Sequence, residues 1–120
     1  MYNGIDFCKL YYMRTNKNIN DAFDLFHPEI KATIDNNEIA GAYNLLIWFT
    51  KRGVYNLEHN NIQLSSQEIK KSYTIVSTKG DMRYNDFYGN ASKWYKIQET
   101  FILENIGNKY YIINYIMHVE

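Results

Sequence analysis

The chain holds one cysteine in 120 residues, so no internal disulfide can form and Cys8 suits a reducing compartment. One proline, Pro28, leaves little to interrupt regular elements. Net charge is missing too, because thirteen Lys and Arg cancel thirteen Asp and Glu. A surface that tracks nucleic-acid phosphates needs a basic surplus, so none is expected. Lys51-Arg52 and Lys70-Lys71 read as solvated faces. No apolar run is long enough to span a bilayer. The stretch from Met1 to Lys9 lacks the basic start and apolar centre of a signal peptide, so the chain is expected in the cytosol or nucleus. There is no Gly-rich phosphate loop and no Ser nucleophile elbow. His27, His59 and His118 lack metal-ligand spacing, and no metal or cofactor is expected. With no repeat, linker or low-complexity tail, residues 1–120 read as one domain.

What the chain does have is aromatic apolar mass. Apolar residues make up 46% and aromatics 17%, with twelve tyrosines, which suits half-buried sheet faces and wet interfaces. Ile5 to Arg14 predicts a first helix, with Ile5, Cys8 and Tyr12 on one stripe. Asn18 or Asn20 caps a short second helix carrying Ala22, Leu25 and Phe26, which His27-Pro28 ends. Ile30, Ala32 and Ile34 alternate as a strand, and Asn36-Asn37 signals a tight turn. Gly41 precedes a third helix over Ala42 to Thr50, with Ala42, Leu45, Leu46 and Phe49 at helical spacing and Gly53 just past its end. Trp48 lies off that stripe.

After Gly53 the pattern is sheet. Tyr55, Leu57 and His59 share one phase while Ile62 and Leu64 share the other, which predicts a bulge near Asn60-Asn61. Ser72 to Thr78 is the next strand, and Gly80 to Lys93 reads as a long polar loop. Trp94 to Leu103 and Lys109 to Val119 close the chain as a hairpin around Glu104 to Asn108. In the first of these, Tyr95, Ile97, Glu99, Phe101 and Leu103 share a face. The second is apolar on both phases, so both its faces call for cover. Strands in succession pair antiparallel, so an α+β fold is expected: a bent, cone-like antiparallel sheet packed on three N-terminal helices.

Several segments in this order resemble the nuclear transport factor 2 family, over nearly the whole chain. They are Phe7-Cys8-Lys9-Leu10-Tyr11-Tyr12, Leu25-Phe26-His27-Pro28, the run from Ala32 to Gly41, Phe101-Ile102-Leu103-Glu104-Asn105-Ile106, and Asn114 to His118. The resemblance implies the nuclear transport factor 2-like (cystatin-like) cone and a homodimer formed through the open sheet face, to which Phe101, Tyr111, Ile113 and Tyr115 are assigned. It further implies an acid-rimmed hydrophobic cavity that receives an aromatic side chain of the small GTPase Ran in its GDP-bound form. Phe-Gly repeats of nucleoporins bind the family near the dimer junction, and the carrier returns Ran to the nucleus through the nuclear pore. By position, Asp35 corresponds to the acidic residue that pairs with a Ran lysine. Ile34 corresponds to a cavity-wall tryptophan. Tyr55, Leu57 and His59 fall on the strand at the cavity mouth, Ile116 and Met117 on the final strand beside it. Asp86 and then Asp81 are the nearest matches to the family's acidic pair.

The chain departs from the family in a longer loop after Gly80, in Tyr115 for a usual aspartate and in His118 for a usual arginine. Two other readings share the fold. One is an adaptor that heterodimerises with the large subunit of an mRNA export receptor. The other is a cone-cavity isomerase or dehydratase in which Asp35, Tyr55 and His59 converge as an acid–base set.

Overall fold

The computed structural model describes residues 3–120. Helix α1 spans Gly4–Lys17, longer than expected at both ends. The Asn3 side chain caps it by accepting the Asp6 N–H at 2.9 Å. The polar stretch at its end stays helical because Thr15 is buried there, its hydroxyl satisfied by donation to the Tyr11 carbonyl, 3.0 Å away. Asn18 ends α1 and caps the next element, a 3-10 helix over Ile19–Leu25. Its buried residues Ile19, Ala22 and Leu25 recur every third position, the period of that helix.

Phe26, expected at the end of that helix, starts strand β1 (Phe26–Ile34). Pro28 sits inside β1, where the register to the neighbouring strand shifts between Phe26 and Lys31, so its missing N–H falls in a broken part of the ladder. Strand β2 (Asn37–Ala40) returns antiparallel. The turn lies one residue earlier than Asn36-Asn37, with Asp35 in the left-handed region at φ 53°. Helix α2 (Ala42–Lys51) follows and buries Ala42, Leu45, Leu46 and Phe49.

Strands β3 (Asn56–Lys70), β4 (Tyr73–Asn85), β5 (Tyr95–Ile106) and β6 (Lys109–Val119) complete a six-stranded curved sheet in the order β2-β1-β6-β5-β4-β3. The sheet is mixed, since β1 runs parallel to β6. Hairpin links impose antiparallel pairing on β3 to β6, but β1 and β6 are joined only through everything between them, so no short link constrains their sense.

Three further expectations are corrected. The polar stretch from Gly80 begins as strand: β4 runs on to Asn85, with Met82 buried inside and Asp81 and Arg83 on either side of it, and the loop starts only at Asp86. Gly80 faces the β3 bulge, where a Cβ would come within 2.5 Å of Ile62 Cδ1 and 2.9 Å of the Asn61 carbonyl. The bulge itself falls as expected, with Asn61 at φ 54° and a register shift between Asn60 and Gln63. The closing turn is tighter than Glu104 to Asn108. Gly107 and Asn108 both take positive φ, 58° and 67°, and the strands run up to them.

The largest correction concerns β6. Leu103 pairs Ile112 while Ile102 pairs Asn114, so Ile113 is an extra residue, a bulge. The bulge reverses the phase. Ile112, Tyr115 and Met117 all face the core, and the strand is not evenly apolar on two faces. Phe101 and Tyr115, assigned to a dimer interface, are fully buried against α1 instead. Their rings lie 5.1 Å apart, and Tyr11 meets Phe101 at 5.3 Å. Tyr111 and Ile113 remain partly exposed away from that core.

Candidate functional site

A cavity of about 410 Å³ opens between the end of α2 and the inner face of the sheet. Each wall arises from a local pattern. Inward phases supply Ile34 of β1, Leu57 of β3, Met82 and Tyr84 of β4, Tyr95 of β5, and Met117 and Val119 of β6. Helix α2 adds Trp48 and Phe49, and Val54 follows it. The polar exceptions at the opening are Asp35 and Arg52.

Asp35 is held by the turn that positions it. Its N–H donates to the Met117 carbonyl at 2.9 Å, and its Oδ1 accepts the Val119 N–H at 2.9 Å. The His118 Nδ1 lies 3.4 Å from the same oxygen. The side chain stays 43% exposed, so the carboxylate remains reachable from solvent. Arg52 lays its guanidinium over the Trp48 indole, 3.8 Å from the ring centroid, and donates Nη1–H to the Trp48 carbonyl at 3.0 Å.

The fold brings Ile34, Asp35, Leu57 and Met117 to this cavity and leaves the other expected residues elsewhere. Tyr55 packs on Phe87 at 5.7 Å, outside the lining. Ile116 is next to Met117 in sequence but points to the opposite face of the sheet, 48% exposed. Asp81 accepts the Asn61 amide at 3.0 Å beside the β3 bulge. Asp86 locks its own loop by accepting the N–H groups of Tyr88 and Asn90, each at 2.9 Å. The bonds from Asn90 and Tyr88 hold its carboxyl below the usual range. His59 lies in a groove with Tyr12, Met13 and Trp94. Asp35, Tyr55 and His59 therefore do not converge. Sequence reasoning missed Arg52 and the β4 and β5 walls. The signal that existed was Trp48 off its helix stripe and the alternation of Met82 and Tyr84 within a polar run.

No family model and no curated protein matches the sequence. Solved structures do match in shape. Nuclear transport factor 2 from Cryptosporidium parvum superposes with a TM-score of 0.76 at 20% identity, covering 98% of this chain and 91% of that one. The hexachlorocyclohexane dehydrochlorinase LinA-type3 from Novosphingobium barchaimii LL02 superposes at 0.77 with 11% identity, covering 97% and 83%. The yeast UBP3-associated protein Bre5 superposes at 0.70 with 19% identity, covering 100% and 98%. The chain has the nuclear transport factor 2-like fold. At these identities the likeness is one of fold, and that fold carries a transport factor and an enzyme alike.

Behind the cavity floor of this nuclear transport factor 2-like fold sits a buried acid. Glu99 is 2% exposed on the inward phase of β5. Its Oε1 accepts the Tyr12 hydroxyl at 2.7 Å and the Thr78 hydroxyl at 3.2 Å, and its Oε2 accepts the Tyr115 hydroxyl. Three donors from α1, β4 and β6 thus satisfy one carboxylate. Burial, reinforced by the Glu99 charge, pushes the Tyr12 and Tyr115 hydroxyls far above their ordinary range, so both stay protonated as donors. Met117 closes the floor, its Sδ 3.3 Å from the Tyr115 hydroxyl.

His59 stacks on Tyr12, ring centroids 4.1 Å apart, with both ring nitrogens shielded and unpartnered among the described residues. Burial depresses its pKa below 6.5, against a smaller upward pull from Glu99. The folded state then binds a proton less readily than the unfolded chain. Stability is full above about pH 6.5 and falls as pH drops through that value toward the depressed one. His59→Phe is expected to remove this acid sensitivity and to raise stability by about 1 kcal/mol, since it deletes unsatisfied polar atoms and keeps the ring. Urea unfolding of both proteins at pH 5 and pH 8 reads this directly; a wild-type difference that persists in the variant refutes it.

Proposed function

We propose that the chain is a non-catalytic binding protein that takes an aromatic side chain of a partner protein into its cone cavity. The partner implied by the resemblance is GDP-bound Ran, with a homodimer and Phe-Gly nucleoporins completing the carrier cycle between cytoplasm and nucleus. The observation that carries this reading is the cavity itself: apolar walls, about 410 Å³, and an exposed carboxylate, Asp35, at the lip. A Lys–Asp35 contact there adds specificity and encounter rate more than raw affinity. The dispersal of Asp35, Tyr55 and His59 over separate surfaces favours binding over acid–base catalysis in this cone. For the homodimer, the support is a partly exposed patch of Ile75, Ile102, Ile113 and Ile116 on the outer side of the sheet.

Capture of Ran loaded with GDP or GTP tests the reading. The wild type is expected to retain the GDP form selectively. Val119→Trp, at a half-buried wall position, is expected to abolish capture by filling the cavity while leaving the melting temperature within a few degrees. Equal capture of both forms, or undiminished capture by the filled variant, overturns it. Light scattering on the purified chain separates a homodimer from an adaptor that needs a larger subunit of the same fold.

A further inference from the structure

We propose that the segment received by the cavity carries an acidic residue beside its aromatic one, and that Arg52 grips that carboxylate. This rests on the cavity-binding reading and specifies its partner. The two charges at the lip differ in how they are committed. Asp35 already accepts the Val119 N–H and has His118 beside it. Arg52 has no ion-pair partner among the described residues. It is nevertheless held in place, because the Trp48 ring covers one face of the guanidinium and the Trp48 carbonyl takes one Nη1–H. That leaves most of its five N–H donors free, on a planar head whose side-chain freedom is already spent.

An occupant that fills the apolar hollow displaces water from around this head. A segment without an acceptor leaves a partly desolvated cation unpaired, whereas one with a carboxylate gains a charge-assisted, bidentate contact. The opening therefore selects by charge what the walls select by shape. Opposite charges around an apolar hole also match the polar rim and apolar centre of a protein contact, in which the bound chain continues outside the cavity.

Short peptides blocked at both ends, each with one phenylalanine followed by aspartate, asparagine or lysine, test the inference in NMR titrations of the whole chain. The aspartate peptide is expected to bind about tenfold more tightly than the asparagine one. Arg52 is exposed, so Arg52→Glu is expected to fold normally and to reverse the order in favour of lysine. Equal affinity for all three peptides, or an order unchanged in Arg52→Glu, overturns the inference while leaving the cavity reading intact. No binding of any phenylalanine peptide overturns the cavity reading and this inference together. A free aromatic acid such as 3-phenylpropanoate binding as tightly as the aspartate peptide overturns the assignment to a polypeptide.

Discussion

Replacing Glu99 by alanine is expected to destabilise the fold by about 2–4 kcal/mol, because it removes the shared acceptor of three hydroxyls, of which those of Tyr12 and Thr78 can still pair with each other at 2.9 Å. Those of Tyr12, Thr78 and Tyr115 all end on this carboxylate, which is itself shut off from water. The loss lies in the unpaired donors more than in the missing bonds. Combining Glu99→Ala with Tyr12→Phe, Thr78→Val and Tyr115→Phe is therefore expected to recover much of the loss, since it removes both sides of each bond. Urea unfolding of the single and combined variants decides the matter. If the single change costs less than about 1 kcal/mol, or the combined protein is weaker still by the sum of its parts, the cluster is not the unit described here.

Phe101→Ala is expected to cost about 3–5 kcal/mol, the range for truncating an aromatic ring in a close-packed core. Phe101 is fully buried and packs edge-on with Tyr11 and Tyr12 as well as against Tyr115. The contrast that makes this informative is Ile116→Asp, on the other side of the sheet. That change is expected to alter stability by no more than about 0.5 kcal/mol at low protein concentration. It is also expected to weaken self-association in sedimentation or light scattering, because it places a charge in the exposed isoleucine patch. The opposite pair of results, a mild Phe101→Ala that dissociates a dimer and a damaging Ile116→Asp, would reverse the assignment of the two faces.

How far each feature could be read from the chain depends on the range of the interaction behind it. The helices, the tight turn before α2 and the β3 bulge leave local marks, such as capping asparagines, residues tolerant of positive φ, and a break in alternation between His59 and Ile62. Glu99 was visible as a carboxylate in the apolar phase of β5, although its three partners come from distant parts of the chain. The β6 bulge left no mark, since Tyr110 to Tyr115 is nearly all apolar and either phase looks alike. The family resemblance placed Phe101 and Tyr115 at an interface and Ile116 beside the cavity, and the unmarked bulge left nothing in β6 to correct Tyr115 or Ile116. In the polar stretch after Gly80, an outer face that meets solvent admits Asp81 and Arg83 as readily as a loop does, so a strand passed for one.

By itself the chain determined an α+β fold and a cone of sheet around helices, because periodicity and turn chemistry act between near neighbours. Only the tertiary structure decided which residues meet at the lip. Asp35 and Arg52 come from separate turns, and what joins them is the packing of β1, α2 and β6 around one hollow. The sense of the β1–β6 pairing and the phase beyond Ile113 were likewise settled there, where long-range register overrides any local preference.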